Sequence, residues 1–206
     1  MAQTQLAVSS TAPQSVFTSR ILRTTAAVIG SSALVALCSH LSVPLVFTPV
    51  PLTLQNFAVL LVGLLLEPAA AFAALALYLL EGAAGLPVFS PFGAPGIAHL
   101  FGPNGGYLLS YPFAAAFIGY LRRNLRPSFS AAIFAAAAGS LIVYAVGASW
   151  FSILSGLPWS AVLKMTVWPF LPGDALKVIA AGAIATGLLK LRNRNRQSGL
   201  ASGTAI

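Results

Sequence analysis

Acidic side chains are almost absent. Glu67, Glu81 and Asp174 are the only three in 206 residues, and all charged residues together make up 7% of the chain. A soluble domain carries about 25%. With 58% of the residues hydrophobic, no soluble fold could hide the apolar surface, so a polytopic membrane protein is the class that remains. Cysteine is nearly missing too. Cys38 stands alone, which excludes an internal disulfide and any multi-cysteine metal site. The two histidines, His40 and His99, form no H-x-x-x-H pair, and Cys38 with His40 offers too few ligands for zinc. No G-x-x-x-x-G-K-[ST] loop is present to cradle a nucleotide phosphate. So few bases, nucleophiles and metal ligands argue against an enzyme, and no string of acidic groups marks a proton relay. Binding or passage of a solute is left, with no metal or cofactor of the chain's own.

The net charge of +8 would point to nucleic acid in a soluble protein. Here the basic residues cluster at the ends of apolar runs, the pattern that orients helices in a bilayer, and no nucleic-acid partner is expected. Six apolar runs are discernible: Thr24–Val43, Leu54–Leu66, Ala69–Leu86, Tyr107–Leu121, Ser130–Phe151 and Phe170–Leu191. Glu67-Pro68 makes the second and third a tight hairpin. Three prolines, Pro44, Pro49 and Pro51, make the segment between the first two runs an extended loop. With the N-terminus in the cytoplasm, nine of the eleven Lys and Arg residues fall inside: Arg20, Arg23, Arg122, Arg123, Arg126, Lys190, Arg192, Arg194 and Arg196. The inverted orientation violates the Lys/Arg bias of cytoplasmic loops. The expected fold is therefore all-α and multi-pass, with six transmembrane helices in residues 20–191 and both termini cytoplasmic. Residues 1–19 read as a disordered tail rather than a targeting segment, and residues 192–206 as a basic, flexible one.

On this topology the loops 44–53, 85–106 and 152–169 share the outer side with Asp174 and Lys177, which are three apart on one helix face. Charges and irregular backbone at membrane depth are tolerated where they line a cavity. Asp174, after Pro172-Gly173, reads either as a helix cap paired with a snorkelling lysine or as a ligand acceptor beside a ligand-anion donor. Gln55 and Asn56 read as a capping turn, with Thr53 as the cap, or as amides at the outer mouth. "GPNGGY" is a turn, or a place where glycines let the backbone approach a ligand and where Asn104 and Tyr107 supply polar handles. Phe89, Phe92 and Phe101 are lipid anchors or lid residues. Trp150, Trp159 and Trp168 fit an outer aromatic belt. Small residues at a spacing of four, Ala26 with Gly30 and Ser32 with Ala36, suit the first helix to close helix contact.

"FTPVPLTLQNFAVLLVGLLL", "LYLLEGAAGLPVF", "FGPNGGYLLSYPFAAAFIGYL" and "PFLPGDALK", in this order over about Leu41–Leu191, resemble the BioY family, the biotin-specific S components of energy-coupling factor transporters. The resemblance implies a plasma-membrane subunit that captures biotin from outside. It also implies that the subunit works with a transmembrane coupling subunit and paired ATPases, which alone use ATP. It places the family's acidic and lysine binding residues at Asp174 and Lys177. Asn104 is the candidate for a binding asparagine of the third loop. Ala26, Gly30, Ser32 and Ala36 are candidates for docking the coupling subunit. Biotin's ureido N–H groups, apolar bicycle and carboxylate match an acid, a base and a ring of Phe, Leu and Tyr; Asp174 is assigned to the ureido side and Lys177 to the carboxylate, the reverse partition remaining open. The competing reading is a self-sufficient secondary transporter of a small organic solute.

Overall fold

The computed structural model describes residues 12–203. Six long or medium helices follow the six apolar runs: α1 (Ala12–His40), α2 (Gln55–Leu65), α3 (Pro68–Ala83), α4 (Gly105–Asn124), α5 (Phe129–Ser155) and α7 (Leu171–Gly203). Between the last two lies a short α6 (Trp159–Thr166), and a 3-10 turn spans Gly96–Phe101. Two of these helices are both long and apolar enough to cross a bilayer unaided, α5 and the Thr18–His40 part of α1. At 1.5 Å per residue the 11 residues of α2 extend only about 16 Å, half the hydrocarbon thickness.

Three sequence expectations need correction. The chain is mostly but not wholly helical, because the proline-rich segment pairs with itself. β1 (Ser42–Leu45) and β2 (Thr48–Thr53) form an antiparallel hairpin, Ser42 opposite Thr53 and Leu45 opposite Thr48, with the register broken around Pro44. Pro44, Pro49 and Pro51 lack the N–H a ladder needs, yet a two-stranded ribbon has free outer edges where that loss is harmless. The expected tail boundaries also move. α1 begins at Ala12, with Pro13 in a first turn that has no use for its N–H, and α7 runs on to Gly203. No proline follows Leu191, and Arg and Gln are good helix formers. The expectation for residues 1–11 lies outside the described residues. Lastly, the 152–169 loop holds α6, started by Pro158.

The turns are written locally. Glu67 precedes Pro68 at the first position of α3. Ser128 caps α5 by accepting the Ala131 N–H at 3.1 Å, and Gly156, at φ +66°, ends it in the left-handed conformation that glycine adopts without strain. α2 is buried almost all round, from Gln55 to Leu64, as expected of a helix apolar on every face. One side packs Val59 and Val62 with Leu75 of α3 and Ala115 of α4. The other packs Leu60 and Leu64 with Ile118, Ala135 and Ala181. Gly63 makes this possible, since a Cβ there would stand 2.8 Å from the Ile118 Cβ and 2.9 Å from the Ala115 carbonyl oxygen. The outward surface is apolar as well: Leu141 is 70% exposed, Ile153 83% and Leu176 69%. Oily side chains displayed on this scale suit lipid rather than water.

Because successive long helices run in opposite directions, the starts of α2, α4 and α7 meet at one end of the bundle. The β-hairpin, the 85–104 loop and α6 meet them there, and Gln55, Asn56, Asn104, Asp174 and Lys177 are gathered between them.

Candidate functional site

Asp174 sits in the first turn of α7 and is 8% exposed. Its own N–H bonds the Phe170 carbonyl at 2.9 Å, so the helix has already begun. Its carboxylate bonds side chains from three elements and caps nothing. Oδ2 accepts from Asn56 Nδ2 of α2 at 2.8 Å and from the Tyr144 hydroxyl of α5 at 2.7 Å. Oδ1 accepts from Lys177 Nζ at 2.8 Å. Lys177 Nζ also donates to the Thr53 carbonyl at 2.7 Å. The side chains of this ion pair are 13% and 11% exposed. A buried pair of this kind holds only when its remaining lone pairs and protons are met, and breaking it costs about 3–5 kcal/mol. Two of the three ammonium protons are used, so one N–H of Lys177 is unassigned.

These residues line a cavity whose empty space, counted out to its mouth, is about 600 Å³. Its wall includes Gln55, Asn104 and Tyr107 along with the ion pair, so five of the six residues singled out from the sequence are brought together. Gln55 donates to the Tyr78 hydroxyl at 2.8 Å. Tyr107 presents its ring, because its hydroxyl is spent on the Thr166 carbonyl at 3.0 Å. Tyr111, Val143 and Phe170 add apolar wall. Two acceptors are buried without a partner, Asn56 Oδ1 and Asn104 Oδ1. Each costs about 1–3 kcal/mol unless something donates to it. Cavity, one spare ammonium proton, orphaned acceptors and aromatic wall together can hold a small molecule with N–H donors, an apolar middle and an anionic group.

Phe92 is the sixth candidate, and the structure does not bring it to that wall. It is 37% exposed and absent from the cavity wall. Of the neighbouring aromatics, Phe89 is buried edge-to-face on Tyr78, with ring centroids 5.4 Å apart. The glycines of "GPNGGY" serve packing instead of ligand approach. A Cβ on Gly105 would stand 1.9 Å from the Leu100 carbonyl oxygen, and one on Gly106 2.2 Å from the Trp150 Cβ. Trp150 is correspondingly half-buried and donates to the Gly102 carbonyl at 3.0 Å, while Trp159 and Trp168 stay exposed as belt residues do. Thr53 does not cap α2: it ends β2, and its carbonyl receives Lys177.

Tyr144 joins the cavity although the sequence does not single it out, and Asn56, read with Gln55 as an amide at the outer mouth, is there as a partner of Asp174. Asn56 stands next to Gln55 in "TLQN". Tyr144 is visible as a hydroxyl in the middle of the fifth apolar run, a costly place for one without a partner. On α1, Ala26 and Gly30 are exposed, but Ser32 is fully buried and donates to Glu81 at 2.5 Å, and Ala36 packs on the core. The four do not form one outward face, since 30 and 32 are about 200° apart on a helix. A Cβ on Gly30 would meet nothing within 4 Å, and its outward neighbours are Ala26, Ala33 and Leu37.

Comparison with known proteins gives the family. A model of the BioY family matches residues 7–194. The chain is 39% identical over 140 residues to the probable biotin transporter BioY of Pyrococcus horikoshii, covering 68% of this chain and 81% of that protein. It is 33% identical over 159 residues to the biotin transporter BioY2 of Lactococcus lactis subsp. cremoris, covering 77% and 86%. The crystal structure of the S-component for biotin from an ECF-type ABC transporter superposes with a TM-score of 0.78 at 28% identity, over 84% of this chain and 93% of that one. With nearly its whole length matched, the chain is a member of the BioY family of membrane proteins.

Proposed function

We propose that this chain is the biotin-binding subunit of a vitamin uptake system. It captures biotin at the outer face of the plasma membrane and delivers it inward together with a transmembrane coupling subunit and ATPases. The observation that carries the reading is the buried Asp174–Lys177 pair, held by Asn56, Tyr144 and the Thr53 carbonyl in the wall of a cavity.

Biotin's parts find counterparts there. The spare N–H of Lys177 meets the valerate carboxylate. The two ureido N–H groups go to the acceptors left without donors, Asn56 Oδ1 and Asn104 Oδ1, and Asp174 holds Asn56 and Lys177 in place for them. Asp174 already accepts three hydrogen bonds, so direct acceptance from the ureido ring is secondary in this arrangement. The rings of Tyr107 and Tyr111 cover the bicycle.

Six spans with both termini cytoplasmic are supported by the six helices and by the gathering of Arg122, Arg126, Lys190 and Arg192 around one cavity at the end away from Asp174. The short α2 crosses as part of a hairpin, with the β-ribbon completing its depth on the outer side. The docking surface for the coupling subunit is the outward face of α1 at Ala26 and Gly30, without Ser32 or Ala36.

A binding site equally tight on both sides only equilibrates its ligand, so accumulation needs a partner that distinguishes the two states. The test is uptake of labelled biotin into liposomes. The lone chain in ATP-free liposomes is expected to bind but not accumulate biotin, and the chain with its coupling module and ATP is expected to accumulate it. Accumulation against a gradient by the lone chain identifies a self-sufficient secondary transporter instead.

A further inference from the structure

At the opposite end of the bundle, a second cavity lies between the α4–α5 connection and the 185–192 stretch of α7, with about 1100 Å³ of empty space counted to its mouth. Four cations line it: Arg122, Arg126, Lys190 and Arg192. Arg122 is anchored, donating one N–H to the Leu64 carbonyl at 2.8 Å. Arg126, Lys190 and Arg192 make no ion pair among the described residues. The nearby carboxylate, Glu67, is engaged by Arg123, which is not part of the wall. The start of α5 opens onto the same space through Ser128, Phe129 and Ala131, adding the partial positive charge of a helix N-terminus. The rest of the wall is oily, with Leu64, Ala132, Ala185 and Leu189 contributing to it.

We propose that this cavity binds the headgroup of an anionic phospholipid, with the phosphodiester among the four cations and the glycerol and upper acyl carbons against the apolar wall. Free phosphate would be drawn to the same charges, but it has no use for a wall of Leu and Ala. A molecule that is anionic at one end and hydrocarbon at the other satisfies both halves, and basic pockets between membrane helices on the cytoplasmic side bind such headgroups. The site is remote from Asp174 and shares no wall residue with the biotin cavity. Its occupancy pins the 185–192 stretch of α7 to the α4–α5 connection.

The experiment uses the purified full chain and reads lipid retention by native mass spectrometry and thermal unfolding on adding phosphatidylglycerol or phosphatidylcholine. Phosphatidylglycerol is expected to be retained and to raise the unfolding temperature, phosphatidylcholine to do neither, and inorganic phosphate to have no effect at the same concentration. The triple variant R126Q/K190Q/R192Q is expected to lose phosphatidylglycerol binding by roughly a hundredfold, at about fivefold per basic residue, while keeping its biotin affinity. The triple variant R20Q/R23Q/R194Q, which removes equal charge outside the cavity, is expected to retain the lipid. Should the first triple variant fail to fold, R126Q alone is expected to lose about fivefold. Equal response to both lipids, equal loss in both triple variants, or reproduction of the effect by phosphate overturns the proposal. So does a first triple variant, or R126Q in its place, that keeps lipid binding but no longer assembles with its coupling subunit, which would make the cavity a protein contact.

Discussion

Replacing Asp174 by asparagine keeps the shape of the side chain and removes its charge. Three hydrogen bonds to the carboxylate are weakened at once, from Asn56, Tyr144 and Lys177 at 2.7–2.8 Å. Each bond to a charged group is worth about 1.5–3 kcal/mol, but they do not add, because all three share one acceptor. The larger consequence falls on Lys177. With side-chain exposure of 13% and the Thr53 carbonyl as its remaining partner, the ammonium is left buried without a counter-charge, at about 3–5 kcal/mol. D174N is therefore expected to be strongly destabilised, and to bind biotin at least roughly a hundredfold more weakly through misplacement of Asn56 and Lys177, which is about 3 kcal/mol. Removing the lysine charge as well distinguishes the two effects. The double variant D174N/K177M is expected to recover most of the lost stability, since no buried charge is left unpaired, and to recover none of the biotin affinity. The assay is a double-mutant cycle, with thermal unfolding in detergent for stability and calorimetry for binding. Additive stability losses, with coupling near zero, would refute the view that the two residues form one buried unit. Recovery of biotin affinity in the double variant would refute their role in binding.

Asn104→Leu removes a buried acceptor that has no partner, so the ligand-free protein is expected to be as stable or slightly more so by thermal unfolding, while biotin affinity falls about tenfold or more by calorimetry. Gly30→Trp projects into open space from α1 and is expected to spare biotin affinity in detergent while reducing ATP-dependent uptake. Ser32→Trp, at a fully buried position bonded to Glu81, is expected to destabilise the fold itself. In intact cells, cysteines placed at Val46 or Leu157 are expected to react with a membrane-impermeant thiol reagent and one at Asn124 only after permeabilisation; the opposite pattern would reverse the proposed orientation.

Much of the architecture is legible in the sequence because a membrane helix announces itself by length and apolarity. The runs ending at Val43, Leu66 and Leu121 are bounded by a proline-rich loop, a proline turn and an arginine cluster, and the helices end close by, at His40, Leu65 and Asn124. The β-hairpin is not legible. Three prolines in ten residues rule out helix, but whether the segment pairs with itself depends on the Ser42–Thr53 register, which leaves no periodic mark in so short a stretch. The ends of α1 and α7 escape for another reason: polarity marks only where a helix leaves the apolar layer, not where it stops. Asp174 and Lys177 are legible because charge inside an apolar run is costly and their spacing puts them on one face. Their pairing with Asn56 and Tyr144 is not: these lie 118 and 30 residues away from Asp174, and only tertiary packing joins them. Ser32 is hidden in a related way. A spacing of four names a stripe on a helix but does not say whether the stripe faces out, and here it faces Glu81.

The most direct test is a calorimetric titration of biotin onto the purified, detergent-solubilised chain, with no nucleotide and no other subunit present. One biotin is expected to bind each chain, with an affinity lowered about a hundredfold in D174N/K177M. A folded wild-type chain that gives no binding signal, or one whose affinity is unchanged when the Asp174–Lys177 pair is removed, would contradict the assignment of this cavity to biotin.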